Sequence, residues 1–285
     1  MSYMRMNFTS QALSACVDVS IVMPTGRFSY FPPDQPRHHI MPGKKMKPQY
    51  QAGMKFQTVY VIQAGMGDDS YLMRTTNLER YAEENCVMLV IPSISNSFGV
   101  DTAYGVEYSA FITDELPVII QTLFASSGKR EDNFIMGCAA GGNAAVYNAV
   151  RHPEKYLACA DLSGGIGVSF DLDKMKASKK MTHFALAVST FPEELDGTTF
   201  DLADMTRKHI AAGTELPQMF FIRGSEEGRI GEAVDKDAEI AASLGYTVFY
   251  DNVQGGMHNA AFWDAQFERL LGELLPLKRE PVMPE

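Results

Sequence analysis

Phe134-Ile135-Met136-Gly137-Cys138-Ala139-Ala140-Gly141-Gly142 is the stretch whose reading decides the fold. Three apolar residues suited to a buried strand run into a Gly/Ala-rich turn, and a helix-like run at 143–150 follows. That helix should stop near His152-Pro153, because proline ends a helix at the residue before it. The arrangement matches a nucleophile elbow, G-x-S-x-G, in which a serine sits on a strained strand-to-helix turn. Gly137 and Gly141 occupy the two glycine positions, and Ala139 stands where the serine belongs. The turn crowds its neighbours, so small residues are required on both sides. The amide of the next residue, Ala140, is expected to face a developing oxyanion, aided by the helix N-terminus. Alanine itself carries no group that can attack a carbonyl. Taken alone, the same string also suits a tightly packed strand-to-helix turn in any α/β protein.

Composition narrows the function classes. A chain of 285 residues with 46% hydrophobic and 21% charged residues is ordinary for a globular protein. We read it as a single domain over 1–285, since no Pro/Gly/Ser linker or repeat divides it. The formal charge of −10 argues against nucleic acid or an anionic membrane surface as partner. No apolar run has the length of a membrane span, and the N-terminus lacks a basic-then-apolar leader, so a cytoplasmic location is expected. Cys16, Cys86, Cys138 and Cys159 lie far apart without paired spacing. They read as buried free thiols, with no metal site, no disulfide framework and no cofactor implied.

Along the chain, strand and helix patterns alternate. Strands are expected at 17–23, 58–63, 87–91, 157–163, 219–223 and 247–250, in addition to the strand before Gly137. The first of these suits an antiparallel start to the sheet. Helices are expected at 77–85, 111–124, 234–244 and 261–275, with Thr113 as cap and Pro117 in the first turns of the second. This rhythm implies an α/β fold with a doubly wound, mostly parallel sheet and helices on both faces. Two insertions, about 28–56 and 164–214, fit the rhythm poorly and are expected to lie over the active site as loops.

Candidate partners for the elbow follow in the order nucleophile, acid, histidine that the α/β-hydrolase fold uses. Gly224-Ser225-Glu226-Glu227 comes directly after a predicted strand and offers the acid, Glu227 first and Glu226 as the alternative. His258, in Gly255-Gly256-Met257-His258-Asn259, lies between the last strand and the last helix, where it can act as general base. A surface-loop histidine and a solvated carboxylate are the competing readings of the same residues.

The chain resembles the esterase D-like "putative esterase" family of α/β-hydrolases. That family includes tributyrin-type, feruloyl and acetylxylan esterases and S-formylglutathione hydrolases. The resemblance runs through Thr76-Asn77-Leu78-Glu79-Arg80-Tyr81-Ala82-Glu83-Glu84, Asp101 to Gly105, Asp114-Glu115-Leu116-Pro117 and Arg130-Glu131-Asp132-Asn133-Phe134. It continues in Leu162-Ser163-Gly164-Gly165 and Phe262-Trp263-Asp264. It implies a serine carboxylesterase acting on short-chain acyl or hydroxycinnamoyl esters, with a small-molecule ester as partner, no cofactor, and a homo-oligomer as a possible assembly. Three departures stand out. The family's serine falls on Ala139, and its aspartate falls on Glu227. Its His-Gly-x-Gly-Gly-Asp oxyanion loop reads Gln63-Ala64-Gly65-Met66-Gly67-Asp68. The resemblance assigns the oxyanion hole to the backbone amides of Gly65 and Ala140, with Gln63 bracing the loop. Cys138 should point away from the site and not replace the serine. Ala139 itself has two readings: a serine-to-alanine change in an active esterase, the reading preferred here because histidine and carboxylate are kept, or a natural pseudoenzyme that binds without cleaving.

Overall fold

The computed structural model describes residues 1–25, 52–102, 105–164 and 202–284. Most of both predicted insertions lies outside them.

Eight strands form one sheet: β1 (Ser2–Ser10), β2 (Ala15–Met23), β3 (Thr58–Ile62), β4 (Met88–Pro92), β5 (Asn133–Cys138), β6 (Ala158–Leu162), β7 (Gln218–Gly224) and β8 (Val248–Val253). Their spatial order is β1-β2-β4-β3-β5-β6-β7-β8. The β1–β2 and β2–β4 pairs are antiparallel, and every pairing from β4 to β8 is parallel. This is the α/β-hydrolase fold. β1 is absent from the sequence-based expectation. It is an edge strand whose residues alternate between half-buried and exposed, and the period-2 pattern of Met4-Arg5-Met6-Asn7-Phe8 is a strand signal present in the sequence.

The helices are α1 (Tyr71–Thr75), α2 (Leu78–Glu84), α3 (Leu116–Leu123), α4 (Ala140–Arg151), α5 (Leu202–Ala211), α6 (Arg229–Ser243) and α7 (Ala260–Arg269). Two layers of side chains separate them from the sheet. Tyr60, Ile62, Met88, Val90, Ile135 and Phe221 project toward α3, α4 and α6, and Val59, Val61, Leu89, Ile91, Phe134 and Met136 project toward α1, α2 and α7. Successive residues of each central strand thus feed opposite faces, so β3, β4 and β5 are apolar throughout and fully buried.

The second predicted helix starts earlier than expected. A helical turn at Tyr108–Ala110 and a π-turn at Phe111–Glu115 lead into α3. Thr113 is therefore not its cap. Its hydroxyl donates back to Ser109 O (2.8 Å), while Asp101 Oδ1 accepts from the amides of Ser109 (2.9 Å) and Ala110 (3.2 Å). The cap comes from a carboxylate in the preceding loop, twelve residues upstream of Thr113, which local pattern reading does not reach. The expectation of four buried thiols also needs correction, because Cys16 is exposed on the outer hairpin while Cys86, Cys138 and Cys159 are buried.

The strand order reverses beside β3, since the chain proceeds from β3 to β4 on one side and returns to β5 on the other. Such a switch point opens a crevice beyond the carboxyl ends of the two strands. The loop carrying Gly65 leaves β3 there, and the elbow leaves β5.

Candidate active site

The elbow has the geometry its sequence demands. Ala139 precedes α4 with φ 50° and ψ −124°, a conformation that a residue with a Cβ rarely adopts. Strain of this kind costs on the order of 1–3 kcal/mol and persists only where the surroundings enforce it. Here they do. The amide of Ala139 donates to Leu162 O of the neighbouring strand (2.8 Å), and its carbonyl accepts from Gly142 N (2.9 Å). Gly137 and Gly141 lie back to back. A methyl group on Gly137 would meet Gly141 O at 2.3 Å, and one on Gly141 would meet Ile62 O at 2.1 Å. Only hydrogen fits at either place. The tight packing extends along α4, where every residue from Gly141 to Val150 is buried, and its small side chains let it press onto the sheet.

The loop after β3 is fixed from below and from the side. Asp69, fully buried, accepts a paired interaction from Arg5 (2.8 Å from Nε, 2.7 Å from Nη2) and a hydrogen bond from Ser20 Oγ (2.8 Å). Its own amide donates to Ser93 Oγ (2.9 Å). Gln63 is buried, and with its amide oriented to suit its neighbours it donates to Pro92 O (2.6 Å) and accepts from Ile94 N (3.2 Å). The side chain thus joins the loop to the end of β4. Asn96 Oδ1 accepts from the amide of Met66. This leaves the amide of Gly65 without a protein acceptor among the described residues, and the same is true of Ala140 at the start of α4. The two segments touch, since a methyl built on Gly65 would lie 3.8 Å from Ala140 Cβ.

Cys138 lies beside the elbow but cannot stand in for a serine. Its thiol is buried, and burial pushes its pKa well above the ordinary thiol value, a change opposed only in part by the Ala64 amide that donates to it. It belongs to the apolar layer on the α2–α7 side.

The acid and the histidine come from the loops after β7 and β8, and those loops are tied together. Ser225 N donates to Val253 O (2.9 Å), Glu226 N to Gly256 O (3.0 Å) and Gly255 N to Ser225 Oγ (2.9 Å). The backbones cross so closely that a methyl on Gly224 would meet Gly256 O at 2.2 Å. The Glu227 side chain is fully buried, and its Oε1 lies 3.3 Å from His258 Nδ1, while Oε2 accepts from Gly224 N (3.1 Å). A buried carboxylate needs such partners. The Glu226 side chain is exposed and, among the described residues, bonds only its neighbour Ser225 (3.0 Å). Of the two candidate acids, Glu227 is the one that meets the histidine.

His258 is also held from the side. The Trp263 ring meets it edge-on, with centroids 5.1 Å apart, and Trp263 Nε1 donates to Ser163 Oγ (3.2 Å) at the end of β6. Ser163 has φ 62° and follows Leu162, the residue that accepts the Ala139 amide. A continuous line of contacts therefore runs from the elbow through Leu162, Ser163 and Trp263 to His258. Asn259 caps α7 by accepting from Phe262 N (3.0 Å), which sets the start of the helix directly after the histidine. Sequence reading named Ser163 and Trp263 only within stretches that carry the family resemblance, without a role, and did not name Asn96 or Asp69. For Trp263 a signal existed, because it is the sole tryptophan and lies five residues past the candidate histidine. The other three depend on contacts between distant loops and strands.

The geometry thus gathers Ala139, Ala140, Gly65, Glu227 and His258 at the carboxyl edge of β3, β5, β7 and β8. Among the described residues no cluster of His, Cys, Asp or Glu could hold a metal ion, and no helix is long and apolar enough to cross a membrane.

Comparison with known proteins agrees with the fold. FphF, a fluorophosphonate-binding serine hydrolase of Staphylococcus aureus in a substrate-bound structure, is similar over 96% of this chain and 98% of its own, with a TM-score of 0.77 at 20% identity. The S-formylglutathione hydrolase FrmB of the same organism is similar over 96% and 98%, with a TM-score of 0.72 at 22% identity. A ferulic acid esterase of Anaeromyces mucronatus, in complex with ferulic acid, is similar over 97% and 90%, with a TM-score of 0.60 at 11% identity. No curated protein sequence matches the chain. The family model described as "Putative esterase" matches residues 40–274, so the chain belongs to that esterase family.

Proposed function

We propose that the site is built to hydrolyse carboxylic esters through an acyl-enzyme, and that this chain, with Ala139 at the nucleophile position, binds an ester without cleaving it. The observation that carries the reading is the buried Glu227 carboxylate 3.3 Å from His258 Nδ1, on the same sheet edge as a strained elbow. With serine at position 139, its hydroxyl would lose a proton to His258 Nε2 and attack the ester carbonyl. Glu227 would hold the ring and favour the imidazolium. The amides of Gly65 and Ala140 would receive the oxyanion, and His258 would return the proton to the leaving alcohol. Water would then release the acid by the same steps. Short acyl, acetyl and hydroxycinnamoyl esters are the substrate class.

The test is Ala139→Ser assayed on p-nitrophenyl acetate, p-nitrophenyl butyrate and methyl ferulate. Turnover that the Ala139 protein lacks is expected, and a folded revertant inert on all three would overturn the reading. A second reading, a natural ligand-binding pseudoenzyme, is favoured by Gln63-Ala64, where the loop is braced by a side chain that differs from the family's histidine. Both readings keep the site as the ligand-binding place.

A further inference from the structure

Loss of the serine hydroxyl does more than remove a nucleophile. In a serine hydrolase that hydroxyl donates to histidine Nε2 and so keeps this nitrogen an acceptor. In this chain Nδ1 of His258 faces Glu227, and Nε2 has no partner among the described residues. The ring is open to ligand, about a third of its side chain being exposed. Two more donors share the edge, the uncommitted amides of Gly65 and Ala140. Ala140 opens the 12-residue helix α4, whose N-terminus carries partial positive charge. Nearby acceptors are taken. Glu227 Oε1 faces His258 and Oε2 accepts from Gly224 N, while Asn96 Oδ1 accepts from Met66 N. The site therefore offers two backbone donors and, in Nε2 of His258, a ring nitrogen that accepts while the ring is neutral and becomes a third donor once it takes up a proton.

An ester brings one good acceptor to such a site, its carbonyl oxygen. A carboxylate brings two, both anionic, and charge-assisted hydrogen bonds are roughly twice as strong as neutral ones. We infer that this chain binds the free carboxylate of its acyl group in preference to the ester. One carboxylate oxygen takes the amides of Gly65 and Ala140. The other enters the space left by the serine oxygen and accepts from Nε2 of His258, which takes up the proton of the incoming acid, so that acid and ring bind as a charged pair with Glu227 on the far side of the ring. With serine present, the hydroxyl oxygen fills that space and occupies Nε2, so the preference belongs to the alanine form. The inference rests on the proposed reading of the site as an ester-hydrolase centre.

Calorimetry on three matched pairs tests it: acetate and methyl acetate, butyrate and methyl butyrate, ferulate and methyl ferulate. In the pair whose acyl group fits, the Ala139 protein should bind the acid about tenfold or more tightly than the ester, the gap between charged and neutral hydrogen bonds. Ala139→Ser should weaken acid binding by a similar factor. His258→Ala should abolish the preference while ester binding changes little. Equal or tighter ester binding in every pair, no binding of any acid, or a preference that survives His258→Ala would overturn the inference. The two readings fail separately. A revertant that hydrolyses esters beside an Ala139 protein that prefers them sinks the carboxylate inference alone. A folded revertant inert on every ester sinks the hydrolase reading, and His258-dependent acid binding would then stand as a property of a binding protein.

Discussion

The elbow and the acid–histidine pair are built to the same tolerance, yet one carries only a methyl group at its apex and the other holds two ionisable side chains. At the elbow, Ala139 is held at φ 50° and ψ −124° between glycines that accept no methyl group. At the pair, Gly224 and Gly256 cross closely enough to set Glu227 under His258. In the second case the constraint still serves two ionisable side chains. In the first, the strain positions nothing but a methyl group. What it still does is leave the amide of Ala140 without an acceptor among the described residues. The comparison teaches that geometry and reactivity are separable in this fold. Backbone packing holds the turn and leaves the amides of Gly65 and Ala140 uncommitted among the described residues with alanine at position 139, while the acid–histidine pair keeps its own geometry.

The sharpest way to break this comparison is through the pair. In the Ala139→Ser protein, Glu227→Gln should lower kcat by about 10⁴-fold, as expected when the orienting carboxylate of a triad is neutralised. Glu226→Gln, on an exposed side chain, should leave it almost unchanged, and steady-state kinetics separate the two. The next largest effect concerns the elbow. Gly141→Ala would place its methyl 2.1 Å from Ile62 O. It should cost about 4 kcal/mol or more, in the range reserved for backbone clashes in a packed core, measured by urea unfolding. A smaller change tests the strain itself. Ala139→Gly relieves a positive-φ alanine and should raise stability by about 1 kcal/mol, net of the flexibility glycine adds to the unfolded chain. A loss of stability instead would mean that the turn is not strained. The smallest expected effect is at the thiols. In the folded protein Cys16 should react with a thiol reagent while Cys86, Cys138 and Cys159 stay unmodified. Rapid labelling of Cys138, read by peptide mapping, would reopen it as a nucleophile.

Much of the fold is legible in the residues because its signals are local. The strands from β3 to β7 are short apolar runs between turns, and the G-x-A-x-G string carries its own packing requirement. His258 and Glu227 are legible for a different reason, their place after strands in a fixed order. What escapes is whatever depends on distant segments meeting. The helix before α3 is capped by Asp101 from a separate loop. The Asp69–Arg5 pair joins the oxyanion loop to the edge hairpin across 64 residues, and Trp263 reaches Ser163 across 100. The choice of Glu227 over Glu226 also required coordinates, because adjacent glutamates differ only in which way each one faces.

Mass spectrometry of the Ala139→Ser protein, quenched during turnover of p-nitrophenyl butyrate, tests the central claim most directly. The account predicts a butyryl adduct on the peptide containing position 139, accumulating when His258 is intact and missing when His258→Ala is added. Ester turnover by a folded revertant with no adduct, or an adduct on Cys138 or any other residue, would contradict it.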